Sequence, residues 1–539
     1  MYIAVIDNQI SGFDDCYYSP SRAYTLHLTN DSLGIGDWAK GPAGTGENKF
    51  TVSEYSPSSE IGCLAESFEF PDPYTIIIRL KKGIHFAVNP NSEASRLVGG
   101  RELTANDVAY SIKRSCTAKQ GGLAKGYPYW FQSVETPDKY TVVVHGQDNP
   151  VTPGAYWFQY MTVVHIVPPE VVEKYGDMRD WRVSVGTGPF MLVDHVSASS
   201  STMVRNPNYW ETDPIGPGKG NQLPYLDSVK YLDIRDKSTR FAALRTSRID
   251  WVEEVPWEDA EEILKISPWL KWGTGLRESH VIWFRLDKPG KPWNDNSVRQ
   301  ALHMGINLKA IKDEFYDGKA EILSIPVAPH ASRVYTPVEK LPAEIRELFE
   351  YNPEKAKKLL VEAGYPNGFK AEVLCYEDFL DELSIVKDDW SKLGVDLTFN
   401  VKEYATFMSI RAGKKHEELI AYERSLGYTY KPIDYRPPPI DQNLFMLNDE
   451  YFNERYKQLG SWEIQGNVEK IDKLIKEIAL HVLGQVYGIQ LPTPFVYTLW
   501  APWVKNYHGE RPLGYLHYFM HVKYIWYDQD LKKQMTGRG

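Results

Sequence analysis

The chain has 539 residues, of which 42% are hydrophobic and 24% charged, with a net charge of −10 and a pI of about 5.8. That length exceeds what one hydrophobic core supports, since chains divide into domains above roughly 250–300 residues, so two or three lobes are expected. The acidic balance, without any Lys/Arg-rich run, argues against nucleic acid as a main partner, because phosphate contacts need a basic surface.

Met1 to Asp7 lacks a basic n-region and a long apolar stretch, so Tyr2–Ile6 reads as a buried first strand and not as a signal peptide. No apolar run reaches the about 18 residues that span a membrane. Pro20 to Asn30 reads as helical and leads to a Gly-rich loop, Gly34 to Gly46. Tyr74 to Leu80 and Tyr140 to His145 are β-branched strands. Thr104 and Asp107 form a capping box ahead of Val108 and Ile112. Ser297 to Ile311 has helical apolar spacing. Asn352-Pro353 opens another helix, faced by Leu359, Leu360 and Ala363, with Gly364 where a C-cap belongs. Val468 to Leu483 is a late helix and Phe495 to Trp500 a strand. Arg436-Pro437-Pro438-Pro439 reads as a stiff loop. Alternating strands and helices indicate α/β lobes.

Aromatics reach 13%, with 35 Tyr and 16 Trp. Core packing accounts for most of them, but flat rings with one polar tip also suit a cleft for peptides or sugars. Cys16, Cys63, Cys116 and Cys375 form no CxxC pattern, so no zinc ribbon is expected; one disulfide is possible, and spacing does not pair it. Catalytic signatures are weak. In Gly41 to Lys49, Glu47 stands where a phosphate loop needs Lys. His416-Glu417-Glu418-Leu419-Ile420 lacks the second His of a zinc helix and reads as a solvated helix face. No nucleophile elbow appears. His85, His145 and His165 lie in or beside apolar segments and read as structural. No cofactor and no metal site are expected.

Several stretches carry a resemblance. Gly186-Thr187-Gly188-Pro189-Phe190, Arg205-Asn206-Pro207-Asn208-Tyr209-Trp210 and Tyr225 to Asp250 run in order. So do Leu64 to Phe68, Tyr74 to Phe86, Leu103 to Ser111, Trp293 to Leu302 and Tyr351 to Gly368. Together they resemble the extracellular solute-binding proteins of peptide-type ABC transporters, solute-binding protein family 5. The resemblance implies an α/β, two-lobed periplasmic-binding-protein (type II) fold with an extra subdomain on lobe I. Mapped here, lobe I is 1–40, 180–275 and 496–539, the extra subdomain 41–179 and lobe II 276–495, with hinge crossings near 276–282 and 491–497. It implies capture of a peptide or peptide-like solute by hinge closure, delivery to ABC permease subunits and no chemistry on the solute. An oligosaccharide is the alternative solute, and an enzyme or signalling sensor on the same scaffold the alternative class. An extracytoplasmic monomer is expected, its signal segment trimmed from the chain.

In peptide binders of this family a lobe II segment of the type Gly-Trp-x-x-Asp-Tyr-x-x-Pro holds the peptide amino terminus. Here Tyr428 stands at the Trp, and Lys431 at the Asp unless an insertion lets Asp434 serve; a cation there would repel an ammonium group. Arg285 stands where relatives have Asn. The ligand-binding residues implied are Asp37 and Trp38 after the first helix, Glu278, His280 and Trp283 at the first crossing, and Tyr497 and Trp500 at the second. Arg424, Gly427, Tyr428, Thr429 and Asp434 complete the set on lobe II. Packing is the alternative for each aromatic, loop capping for Asp37 and Asp434, and an ion pair with Glu423 for Arg424.

Overall fold

A computed structural model describes residues 1–5, 12–14, 16, 25–52, 59–119, 123–124, 130–147, 164–276, 278–424, 426, 443–459, 461, 464, 467–514 and 517–538. The chain separates into two compact units. The first is Met1–Gly275 with Gly460–Trp462 and Val496–Gly539, and the second is Leu276–Leu459 with Glu463–Phe495.

The first unit holds two large sheets among the described residues. Among the described residues, a mixed sheet runs in the order Lys271–Leu276, Thr493–Trp500, Trp251–Pro256, Tyr2–Val5, Ser228–Asp233, Ser200–Arg205 and Phe190–Val196. Ser228–Asp233, helix Lys237–Arg245 and Trp251–Pro256 form a crossover that leaves the amino-terminal strand between its two parallel neighbours. Register fixes what one face shows. Ile3 lies opposite both Tyr231 and Trp251, and Trp251 lies opposite Trp500. These four side chains form one buried row. Tyr507 stacks on Trp251 at 4.6 Å, and Phe519 and His521 complete the cover.

The second large sheet of this unit is separate from the first. Four antiparallel strands run Ala65–Asp72, Thr75–Leu80, Thr141–Gly146, Phe131–Asp138. Strand alternation turns Ile76 and Ile78 inward opposite Val144 and Val142, against Val108 and Ile112 of helix Ala105–Thr117. The predicted cap is present: the Thr104 backbone N–H donates to the Asp107 carboxylate at 2.8 Å.

The second unit is built on a five-stranded sheet, in order Asp396–Val401, Lys370–Cys375, Leu419–Arg424, Ser279–Phe284, Gly488–Gln490. The first three are parallel and joined through helices Leu380–Ser391 and Tyr404–Ala412; the last two are antiparallel. The helix expected over 297–311 is shorter. It spans Asn296–Met304 and stops at Gly305, which lies against Leu393 so tightly that a side chain would collide, before Asn307 caps a new turn at Leu308. Asn352 caps Pro353–Glu362 as expected, and Gly364 follows with a φ of +93°.

Two readings are corrected or resolved. The His416 segment is not a helix face: His416 is buried at the entrance to strand Leu419–Arg424, its Nε2 sits 2.9 Å from the Leu444 carbonyl, and burial pushes its pKa down to about 4. The sequence could not reveal this, because Leu444 comes from a distant segment. All four cysteines are free thiols. Arg436-Pro437-Pro438-Pro439 lies outside the described residues.

Candidate functional site

In open α/β sheets ligands are met at the carboxyl ends of the parallel strands, where the loops fan apart and side chains converge. In the second unit those ends carry Tyr376, Tyr404, Glu423 and Arg424. Tyr376 donates a 3.0 Å hydrogen bond to Glu423, and Tyr404, half exposed, meets the Tyr376 ring edge-on at 5.2 Å. Burial, reinforced by the Glu423 charge, pushes the Tyr404 phenol up; Glu278 contributes to the same negative field. Of these residues the sequence had singled out only Arg424 and Glu278. A tyrosine just past a buried strand was the available signal for Tyr376.

Cross-strand pairing sorts the predicted residues by face. Ser279 lies opposite Arg424 and His280 opposite Glu423. Arg424 therefore shares a face with Trp283, while Glu278 and His280 take the other. Glu278 is exposed. Arg424 is buried, and its Nη2 donates to the Pro326 carbonyl at 3.1 Å. Trp283 is buried and stacked toward Phe445. His280 is buried against Phe379 and bonds Glu382 through Nδ1; Tyr316 donates to the same carboxylate at 2.5 Å. Arg285 bonds Asp287 and donates to the carbonyls of Lys414 and His416. Gly427, Tyr428, Thr429 and Asp434 lie outside the described residues, as does Lys431.

In the first unit Asp37 is half-buried and accepts from the Ala39 N–H at 3.0 Å, capping the short turn Trp38–Lys40. Trp38 is buried and stacked on Tyr524, ring centroids 4.6 Å apart and 4° from parallel. Tyr524 in turn donates to Glu211 at 2.9 Å. Glu211 also receives Lys523 and a 2.8 Å bond from Tyr209, all within one buried network. Although burial opposes ionisation there, Lys523 and these donors hold the Glu211 carboxyl below its usual range. Neighbouring Asp31, bonded by Trp210 at 3.0 Å, is pushed by burial up to about 6. Trp500 belongs to the buried aromatic row, edge-on to Tyr507 at 4.9 Å. Tyr497 is buried and leans on the exposed Trp272 at 5.6 Å.

Strand Trp251–Pro256 has a feature the sequence did not disclose. Val252 pairs with Leu499 and Val255 with Tyr497, so Glu253 and Glu254 together oppose the single residue Thr498. This is a β-bulge, and Glu254 takes a left-handed φ of 56°. Arg511 pairs with Glu254, and its Nε lies 3.9 Å from Glu253. Burial pushes the Glu253 carboxyl up to about 8; Arg511 pulls against this and Glu254 adds to it. Among the described residues, no group of three or more His, Cys, Asp or Glu is placed to hold a metal ion, and no helix is long and apolar enough to cross a membrane.

The description "Bacterial extracellular solute-binding proteins, family 5 Middle" matches residues 61–430. Heme-binding protein A of Haemophilus influenzae is 26% identical over 480 residues, 84% of this chain and 82% of that protein. The solved structure of HbpA2 from Haemophilus parasuis superposes with a TM-score of 0.74 at 19% identity, over 98% of this chain and 99% of that one. The oligopeptide-binding protein AppA of Bacillus subtilis, solved with a nonapeptide, gives 0.69 at 19% identity over 98% of both chains. The fold is the two-lobed α/β fold of periplasmic binding proteins, with an extra subdomain on the first lobe. The chain belongs to the bacterial extracellular solute-binding proteins, family 5, the solute receptors of ABC importers.

Proposed function

We propose that this protein is the extracytoplasmic receptor of an ABC importer that captures a peptide or peptide-like solute by hinge closure and hands it, unaltered, to a membrane permease. The observation that carries the reading is the company kept at the carboxyl ends of the second unit's parallel strands: tyrosines with polar tips beside a carboxylate, in a chain of this family. A carboxylate beside polar-tipped rings suits an amine or amide of a peptide. The likeness to AppA bound to a nonapeptide supports the same reading. The hinge is assigned to residues 276–282 and 491–497, and the chain acts as a monomer. The proposed solute contacts are Asp37, Trp38, Glu278, His280, Trp283, Arg424, Gly427, Tyr428, Thr429, Asp434, Tyr497 and Trp500, to which we add Tyr376, Tyr404 and Glu423.

The test is a thermal-shift screen with pools of short peptides, oligosaccharides and hemin. A ligand at about 100 times its Kd raises stability by about 2.7 kcal/mol, a readily measured shift. Peptides are expected to shift the melting temperature. A shift with hemin alone, as the name of the H. influenzae relative suggests, or with oligosaccharides alone, replaces the peptide reading. Turnover of a pool compound would defeat the transport reading. Tyr428→Ala is expected to weaken peptide binding with the apo melting temperature unchanged.

A further inference from the structure

The bulge in strand Trp251–Pro256 places two consecutive carboxylates, Glu253 and Glu254, against one guanidinium, that of Arg511. Arg511 is taken by Glu254, whose side chain is 63% exposed; Glu253 keeps only the longer 3.9 Å approach. Glu253 is therefore left without a close cation among the described residues. The atoms around it are also incomplete: Glu253 Oε1, Trp251 Nε1 and the Tyr231 hydroxyl are buried without a hydrogen-bond partner among the described residues. Trp251 is wholly buried, and its indole N–H lies near enough to Glu253 to favour the ionised carboxyl without completing a hydrogen bond to it. Buried polar atoms are nearly always satisfied, so a cluster of three unsatisfied ones marks a place that something else completes. Glu253 still meets solvent over 17% of its side chain, so a ligand can reach it.

The chemistry selects the occupant. An ammonium or guanidinium beside Glu253 would take the place of its proton and pair with the carboxylate left behind. An anion would meet Glu254 instead. We propose that Glu253, walled by Trp251 and Tyr231 and flanked by Arg511, is a subsite that receives a protonated amine or guanidinium of the solute. The assignment deepens, and rests on, the peptide reading above.

The groups facing Glu253 are Arg511, Glu254, Trp251, Tyr231 and Tyr507. Near neutral pH its carboxyl is mostly protonated, because burial holds it at about 8. Cation binding must then expel that proton to solvent. Calorimetry at neutral pH in buffers of different ionisation enthalpy tests this with tri-lysine, tri-alanine and 1,5-diaminopentane. Tri-lysine is expected to bind about tenfold more tightly than tri-alanine and to release about one proton. Glu253→Gln mimics the protonated acid and should fold normally while losing both the preference and the proton. Should that variant fail to fold, Glu253→Asp, which draws the charge back by one methylene, is expected to reduce the preference. Equal affinity for the two peptides, or a preference that survives in Glu253→Gln, overturns the subsite and leaves the peptide reading intact. Binding of diaminopentane alone, lost in Glu253→Gln, keeps the subsite and removes the peptide reading. No binding by any probe removes both.

Discussion

Two buried carboxylates in different units behave in opposite ways. Glu253 in the first unit is 17% exposed and Asp449 in the second is 10% exposed, so burial penalises both. Yet the Glu253 carboxyl rises to about 8, while that of Asp449 falls to about 2. The difference lies in donors. Burial would raise Asp449 too, but it receives His481 at 2.6 Å, Tyr487, and the Phe452 backbone N–H at 3.0 Å, where it caps helix Glu450–Leu459. Glu253 receives no hydrogen bond at its buried Oε1 among the described residues. Glu211 shows that the unit is not the cause. It lies in the first unit with Glu253, yet Lys523, Tyr209 and Tyr524 keep it ionised. A carboxylate with its donors in place stays ionised, and one without them keeps its proton.

The comparison can be broken at several points. The largest effect is expected from Lys523→Met, which turns Glu211 into a second Glu253 by leaving a buried charge without its cation. Chemical denaturation at neutral pH should record a loss of about 3–5 kcal/mol, smaller near pH 4, where Glu211 protonates without cost. An unchanged stability would mean that the tyrosines alone suffice.

Glu253→Gln comes next and has the opposite sign. The folded carboxyl is raised from 4.5 to about 8, so the folded state holds a proton that the unfolded state has released throughout that interval. Native stability is therefore full below about pH 4.5 and declines as pH rises toward 8. The variant is expected to be more stable than the native protein at pH 8, by about 3 kcal/mol after allowance for the solvent it meets, and equal to it at pH 4. Parallel pH profiles for the two proteins would show that Glu253 is ionised in the fold.

Asp449→Asn reverses the window. The folded carboxyl is depressed from 3.8 to about 2, so its contribution is present above the unfolded value and lost as pH falls through that range. We expect a loss of about 2 kcal/mol at neutral pH that disappears near pH 2. The smallest effect belongs to Glu254→Gln. Its side chain is 63% exposed, and screening leaves an exposed pair with Arg511 worth under about 1 kcal/mol.

Much of the scaffold was legible in the chain. Period-2 stretches such as Tyr74 to Leu80, the Thr104/Asp107 box and the Asn352-Pro353 start declare themselves, because propensity and capping act within a few residues. The candidate site was legible only in part. Arg424 and Glu278 could be named, but Tyr376 and Glu423 could not, since their meeting depends on two parallel strands 47 positions apart along the chain. His416 went astray for the same reason, its buried neighbours being out of sequence range.

The sequence by itself determined the α/β class, the caps and the family wording, all of which are set by local hydrogen bonding and by the hydrophobic period. Only the tertiary structure decided which polar groups are satisfied. Nothing in Trp251-Val252-Glu253-Glu254 distinguishes Glu253 from any of the other acids in the chain. The bulge opposite Thr498, the register that sets Tyr231 and Trp251 in one row and the return of Arg511 give it its character. A carboxyl group's charge is set by the dielectric and the donors within a few ångströms, and the fold, not the order of residues, supplies both.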